Sequence, residues 1–154
     1  MVALQNEIQA MMNIGLIGCG MWGRNLARNL AQLEVLAAVA DHHAENAAEF
    51  GSAFAAKPVD VDTLIHDEAI DGIVIATAAP SHDALAIAAL AAGKHIFVEK
   101  PLSKIADINI PAIGTGICCL LRINVCANIV LILPHGRISK YIGELVCIVF
   151  DCVA

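Results

Sequence analysis

The first hundred residues contain a single cysteine, Cys19. No disulfide framework can form there, and a reducing, cytoplasmic setting fits the chain. Cationic charge is also scarce: nine Lys and Arg stand against fifteen Asp and Glu, a formal charge of −6. That balance excludes nucleic acid and an anionic membrane surface as the main partner. The N-terminal ten residues have no basic start and no long apolar run, and Glu7 interrupts them, so they do not read as a secretory leader. The apolar stretch over residues 117–133 is broken by Arg122, Asn124 and Asn128. A spanning helix needs about 20 mostly apolar residues, and an Arg at mid-span costs about 2.5 kcal/mol or more. No membrane span is expected. No Cys or His cluster has a metal-ligand spacing, Cys118-Cys119 included, and no metal is expected. Internal repeats are absent, and the compositional bias is toward alanine.

What is present is a run of alternating elements. The chain has 154 residues, enough for one domain with a real core. Residues 13–18 read as a short buried strand. A helix is expected over 21–33, with Trp22, Leu26, Leu30 and Leu33 at helical spacing facing the sheet. A second strand over 35–40 ends at Asp41. Residues 44–50 form a helix stopped by Gly51, and 53–55 a brief strand. A short helix over 61–66 takes Asp60 as its N-cap. Residues 72–76 are an uninterrupted buried strand. Ser81 caps the following helix, Asp83 complements its positive end, and Gly93 closes it. Residues 95–98 are a further strand. This order implies the α/β class: a doubly wound parallel sheet with right-handed crossovers.

The composition changes after Ser103. Residues 1–104 hold 23 Ala and 9 Ile, whereas 105–154 hold 4 Ala and 11 Ile along with five of the six Cys. The division expected is an extension over 1–12, a nucleotide-binding domain over 13–104 and an atypical tail over 105–154. Met11 and Met12, just before the first strand, are candidate start positions. The tail shows no clean helical or strand period. An out-of-frame translation or a degraded gene end accounts for it better than a genuine extension.

Three groups of residues carry chemistry. Gly18-Cys19-Gly20-Met21-Trp22-Gly23 lies where the first strand meets the first helix. Gly18 allows a tight turn, Gly20 leaves room for a phosphate, and Gly23 lets the helix pack near the strand. Free amides at the helix start, at its positive dipole end, then hold a pyrophosphate. The alternative is a plain glycine-rich turn, but the strand before and the helix after supply the context the motif needs. Asp41 follows Gly18 by 23 positions. A carboxylate there accepts from adenosine ribose hydroxyls and repels a 2′-phosphate, which favours NAD over NADP. It also reads as a solvated strand-end Asp or a helix cap. His42 and His43, expected to face solvent, soften the preference. Thr77, Pro80, Ser81 and His82 follow the fourth strand and line the nicotinamide-ribose side, or else Ser81 merely caps a helix and His82 lies exposed on its first turn. Glu99-Lys100-Pro101 ends the fifth strand. A lysine there donates to a substrate oxygen and stabilises a developing alkoxide; by itself the tripeptide reads more readily as a surface Lys paired with Glu99.

With these residues assembled, the chain resembles the N-terminal half of the glucose–fructose oxidoreductase/inositol dehydrogenase/MocA (Gfo/Idh/MocA) family. The resemblance rests on Gly-Leu-Ile-Gly-Cys-Gly at 15–20, Asp41, Ile-Val-Ile-Ala-Thr at 73–77 with His82, and Ala-Gly-Lys-His-Ile-Phe-Val-Glu-Lys-Pro-Leu at 92–102. It implies a Rossmann domain in which Gly18, Cys19, Gly20, Met21, Trp22 and Gly23 cradle the pyrophosphate of NAD, or of NADP. Asp41 takes the adenine-side ribose, and Thr77, Ala78, His82 and Glu99 join the cofactor site. Lys100 is the family's catalytic lysine, and Pro101 shapes the nicotinamide pocket. Ala78 stands where many members have proline. Residues 19–25 look like the subgroup acting on nucleotide-linked sugars, such as UDP-N-acetylglucosamine 3-dehydrogenases. The family continues into an α/β substrate domain whose acidic residue and histidine have no counterpart here. The expected function is hydride transfer between nicotinamide and a sugar, nucleotide-sugar or cyclitol oxygen centre, with this chain expected to bind cofactor poorly and turn over little or nothing. A homo-oligomer is compatible with it. The rival expectation is a non-catalytic nucleotide-binding or interaction module.

Overall fold

The computed structural model describes residues 12–98, 119–121 and 130–133. Its sheet contains β1 (Ile14–Ile17), β2 (Leu36–Ala40), β3 (Lys57–Val59), β4 (Gly72–Ile75), β5 (His95–Val98), β6 (Cys119–Leu121) and β7 (Val130–Leu133). The helices are α1 (Met21–Gln32), α2 (Ala44–Phe54), α3 (Val61–His66) and α4 (His82–Ala91). Strand order is β3-β2-β1-β4-β5-β7-β6. The first five strands pair in parallel, as the alternation of strand and helix requires. Between β1 and β4 the order reverses direction, and in such sheets ligands bind at the strand carboxyl ends beside that reversal.

Strand residues alternate between two cores. Ile14, Leu16, Val39 and Val74 face a layer built on Leu26, Ala27 and Leu30 of α1 and Phe50 of α2. Ile17, Ala38, Ile73, Ile75 and Ile96 face Leu64 and Ile65 of α3 and Ala86, Ala89 and Leu90 of α4. Every residue of β1 and β4 is buried, which is why neither shows polar alternation in the sequence. Pro58 lies in β3, at the edge of the sheet, where its missing N–H disrupts no central ladder.

Several local expectations are confirmed. Asp60 caps α3, accepting from Thr63 N–H at 2.8 Å and from the Thr63 hydroxyl at 2.6 Å. Asp83 sits in the first turn of α4, and Gly93 follows its end in the left-handed region at φ +77°. Others are corrected. Trp22 does not face the sheet: it is 43% exposed, and the buried stripe of α1 runs through Gly23, Leu26, Ala27 and Leu30. Only the Cβ-less Gly23 fits where the first turn meets the strand, which rotates Trp22 outward. Gly51 does not stop α2. It lies buried inside the helix because a Cβ there would come within 2.8 Å of Ala56 O and 2.9 Å of Pro58 Cδ. The helix runs on to Phe54 and ends at Ala55, with φ 54°, so residues 53–55 are not a strand; β3 starts at Lys57. Ser81 makes no side-chain cap bond for α4, since a 3-10 turn over Ala79–Ser81 turns its hydroxyl back toward Thr77.

Beyond β5 the sheet continues with β7, antiparallel to β5, and β6, antiparallel to β7. The sequence reading recognised no strand here. Val-Leu-Ile-Leu of β7 is continuously apolar, so a period-two test is blind to it. The expected extension over 1–12 lies outside the described residues apart from Met12, and so does nearly all of the tail. Among the described residues, no helix is long and apolar enough to cross a membrane, and no group of His, Cys, Asp and Glu could hold a metal ion.

Candidate functional site

The site forms where the chain leaves β1. Gly18 adopts φ +107°, and a Cβ on it would lie 2.6 Å from the Ala76 carbonyl carbon and oxygen. Glycine is therefore required both for the turn and for the contact with the end of β4. Its N–H donates to Ala40 O at 2.9 Å, tying the turn to β2 as well. A Cβ on Gly23 would sit 2.0 Å from Gly18 O, so α1 starts directly against the residue that follows β1. At Gly20, the residue before α1, no atom of the described residues other than its own chain neighbours lies within 4 Å of where a Cβ would be.

Two of these observations bear on whether a dinucleotide fits. The first amides of a helix have no intrahelical acceptor. Here α1 begins without a side-chain cap and without an acidic residue in its first turn. No side chain or charge of the helix thus competes with an anionic ligand. The space beyond Gly20 is open, and even a methyl group on that residue would intrude on it. The residues present fit a diphosphate group.

Cys19 turns both of its donors inward. Its N–H donates to Asp41 Oδ2 at 2.8 Å, and its thiol reaches Ala40 O at 3.6 Å. Burial, followed by the negative charge of Asp41, pushes the thiol up to about 12, so it stays protonated. Met21 and Trp22 flank the opening, 90% and 43% exposed.

Asp41 sits one residue beyond β2, with a side chain only 8% exposed. Its Oδ1 accepts from His43 N–H at 2.9 Å and Asn46 Nδ2 at 3.3 Å, and His42 Nδ1 lies 3.1 Å away. Oδ2 accepts only Cys19 N–H among the described residues, which leaves it one lone pair. Partial burial works to raise the carboxyl pKa. The bonds from Cys19, His43 and Asn46, with help from His42, outweigh burial and hold it below the ordinary value. Asp41 therefore has a structural task, locking the glycine turn to β2, and retains one acceptor direction for a ligand hydroxyl. His42 and His43 are exposed, as expected.

On the β4 side, Thr77 and Ala78 open a loop whose conformation is set from beneath. Ser81 Oγ lies 2.7 Å from Thr77 Oγ1 and 2.8 Å from Ala78 O. His82 neither faces outward into the loop nor lies exposed on the helix: it is 1% exposed, and its Nε2 donates to Thr77 O at 2.8 Å. The 3-10 turn containing Pro80 delivers it under the loop instead. Its Nδ1 is buried without a partner among the described residues.

The structure thus brings together the glycine turn, Asp41 and the Thr77–His82 loop at the strand carboxyl ends. Glu99, Lys100 and Pro101 lie outside the described residues, immediately after β5. Sequence reasoning missed Asn46, which braces Asp41 from the first turn of α2. It also missed Lys94, which is 7% exposed and donates to Asp67 O at 2.6 Å and Ile70 O at 2.7 Å. Neither residue has a sequence signal, because their partners are met only through the fold.

Known proteins resemble this chain in sequence and fold. The family model GFO_IDH_MocA, described as an oxidoreductase family with an NAD-binding Rossmann fold, matches residues 12–110. An inositol 2-dehydrogenase from Acidothermus cellulolyticus is 40% identical over 98 residues, covering 60% of this chain and 29% of the relative. The solved structure of a UDP-N-acetylglucosamine 3-dehydrogenase from Acidithiobacillus ferrooxidans is 37% identical with a TM-score of 0.55, covering 58% of this chain and 30% of that one. A 3-ketoreductase from Actinomadura kijaniata, solved in complex with NADP, is 28% identical with a TM-score of 0.56, covering 59% and 30%. The chain spans about three-tenths of the length of the curated relatives it matches.

Proposed function

The chain belongs to the Gfo/Idh/MocA oxidoreductase family, and from that premise we propose that it is the nucleotide-binding part of an NAD-dependent dehydrogenase acting on a sugar, nucleotide-linked sugar or cyclitol, with NADP as the alternative cofactor. The observation that carries the proposal is the open space in front of Gly20 at the uncapped start of α1. The amides of Met21, Trp22 and Gly23 hold the diphosphate there, while Gly18 and Gly23 keep turn and helix close enough to present them. Asp41 offers the free lone pair of Oδ2 to a ribose hydroxyl. Cys19 contributes through its bond to Asp41 rather than through contact with the ligand. Thr77 and Ala78 form the opposite wall, held by His82 and Ser81.

A bound nicotinamide supplies the hydride donor or acceptor. In the sequence, Glu99, Lys100 and Pro101 come directly after β5. The resemblance assigns Lys100 the oxygen of the substrate, where an ammonium group stabilises developing negative charge. The substrate class rests on the relatives, an inositol 2-dehydrogenase and a UDP-N-acetylglucosamine 3-dehydrogenase. Their shared chemistry is a secondary hydroxyl on a polyhydroxylated ring. The domain division proposed is residues 13–104 for the nucleotide-binding unit.

Calorimetric titration of the full chain with NAD+ and with NADP+ tests the reading. Saturable binding of NAD+ is expected. A sample with native circular dichroism and no affinity for either nucleotide overturns it.

A further inference from the structure

Beside the candidate ribose site stands a pair of imidazoles that the proposed function does not use. His42 Nδ1 lies 3.1 Å from Asp41 Oδ1, with the ring 79% exposed. The His43 ring is 3.8 Å from it, centroid to centroid. Building on the cofactor reading above, we propose that His42 makes the choice between a 2′-hydroxyl and a 2′-phosphate dependent on protonation. With His42 neutral, the Asp41 carboxylate repels the phosphate. With His42 protonated, the cation against Oδ1 cancels that charge and the phosphate is tolerated.

The other charged groups around Asp41 cannot do this. Arg24 of α1 carries a fixed positive charge, but its guanidinium is bound to Glu49 of α2 and lies over the Phe50 ring, 4.8 Å from the centroid. It is neutralised and held. Glu45, in the first turn of α2, is an acid and supplies no positive charge. The Cys19 thiol remains neutral, pushed to about 12 by burial and by Asp41. Asp41 keeps its charge as pH falls because its hydrogen bonds hold its pKa down against burial. Histidine is the side chain that changes charge between about pH 5 and 8.

The sign follows from these charges. A phosphomonoester carries about −1.5 to −2 at neutral pH and has a second pKa of about 6. Placing it by an uncompensated carboxylate costs affinity, and a proton on His42 recovers part of it. Relative affinity for NADP+ therefore rises as pH falls. Because the phosphate titrates in the same range, the wild-type chain alone does not isolate the histidine. His42→Gln keeps the phosphate titration and removes the imidazole, and His42→Lys supplies a charge that does not titrate there.

The experiment is calorimetry of the full chain with NAD+ and with NADP+ at about pH 8 and about pH 6, the limits of histidine titration. In the wild type the ratio of the NADP+ to the NAD+ dissociation constant should fall about fivefold on acidification, the scale of a partly exposed charge pair. In His42→Gln it should move by less than about twofold, and in His42→Lys it should be low at both pH values. A wild-type ratio independent of pH, or an equal fall in His42→Gln, overturns the proposal while leaving NAD+ binding intact. If neither nucleotide binds at either pH, the cofactor reading itself has failed, and this inference falls with it.

Discussion

Gly23→Ala and Gly20→Ala test the geometry of the turn from opposite sides. A Cβ on residue 23 would lie 2.0 Å from Gly18 O and 3.1 Å from Gly18 C. Both are backbone atoms, so no rotamer change relieves the overlap. Either α1 lifts off the sheet or the turn after β1 is forced open, and each movement disturbs the layer formed by Leu26, Ala27 and Leu30. Overpacking costs about 1–3 kcal/mol and sometimes more; a contact this short belongs at the upper end. Alanine regains about 0.5–1 kcal/mol in helix propensity. The net loss expected is about 2 kcal/mol or more, a large part of a domain stability of about 5–15 kcal/mol. Residue 20 differs: φ is −84° and, chain neighbours aside, no atom of the described residues lies within 4 Å of the new methyl group. The cost to folding is limited to the preference for Gly over Ala before a helix, about 0.5–1 kcal/mol. That methyl instead occupies the space assigned to the diphosphate, and NAD+ affinity should fall by about tenfold or more. Urea unfolding followed by far-UV circular dichroism reads the first effect, and calorimetry reads the second. A Gly23→Ala chain as stable as wild type, or a Gly20→Ala chain that binds NAD+ equally well, refutes the reasoning.

Three further outcomes follow from the same site. The Asp41 pKa is lower in the folded chain than in the unfolded one, so its contribution to stability is complete above about pH 3.9 and is lost as pH falls through the folded value. In acid titrations monitored by circular dichroism, Asp41→Asn should be less stable near neutrality and lose less on acidification than wild type. His82→Leu leaves Thr77 O without its donor and should cost about 1–3 kcal/mol in urea unfolding, more than an exposed substitution such as Arg28→Ala on the outer face of α1. Cys19, 6% exposed and with its thiol at about 12, should resist alkylation by iodoacetamide at pH 8 until the chain is unfolded in urea. Peptide mapping by mass spectrometry follows the Cys19 peptide directly, and rapid native labelling would show that the thiol is not sequestered.

The sequence located the turn of the site because its requirements are local. Positive φ at Gly18, an unhindered residue at Gly20 and a missing side chain at Gly23 all fall within six positions. The burial of β4 was legible because Ile73, Val74 and Ile75 form an unbroken apolar run. Asp60 was legible as a cap because its partner, Thr63, is three residues away. The failures share the opposite property. Gly51 looked like a helix stop until Ala56 and Pro58 were placed against it. His82 read either as lining the ligand side or as exposed on its helix until the Pro80 turn placed it beneath Thr77.

The amino-acid order alone determined the alternation of strands and helices, the parallel class of the main sheet and the place where a phosphate could be held, since hydrophobic run length and backbone freedom belong to neighbouring residues. Only the tertiary structure decided what Asp41 does. Its carboxylate meets Cys19, His43 and Asn46 because β1 and β2 are paired and α2 folds back beside them. The same pairing decides which of its lone pairs remains free. A carboxylate's hydrogen bonds depend on which chain segments are adjacent in space, and the order of residues does not by itself set that adjacency.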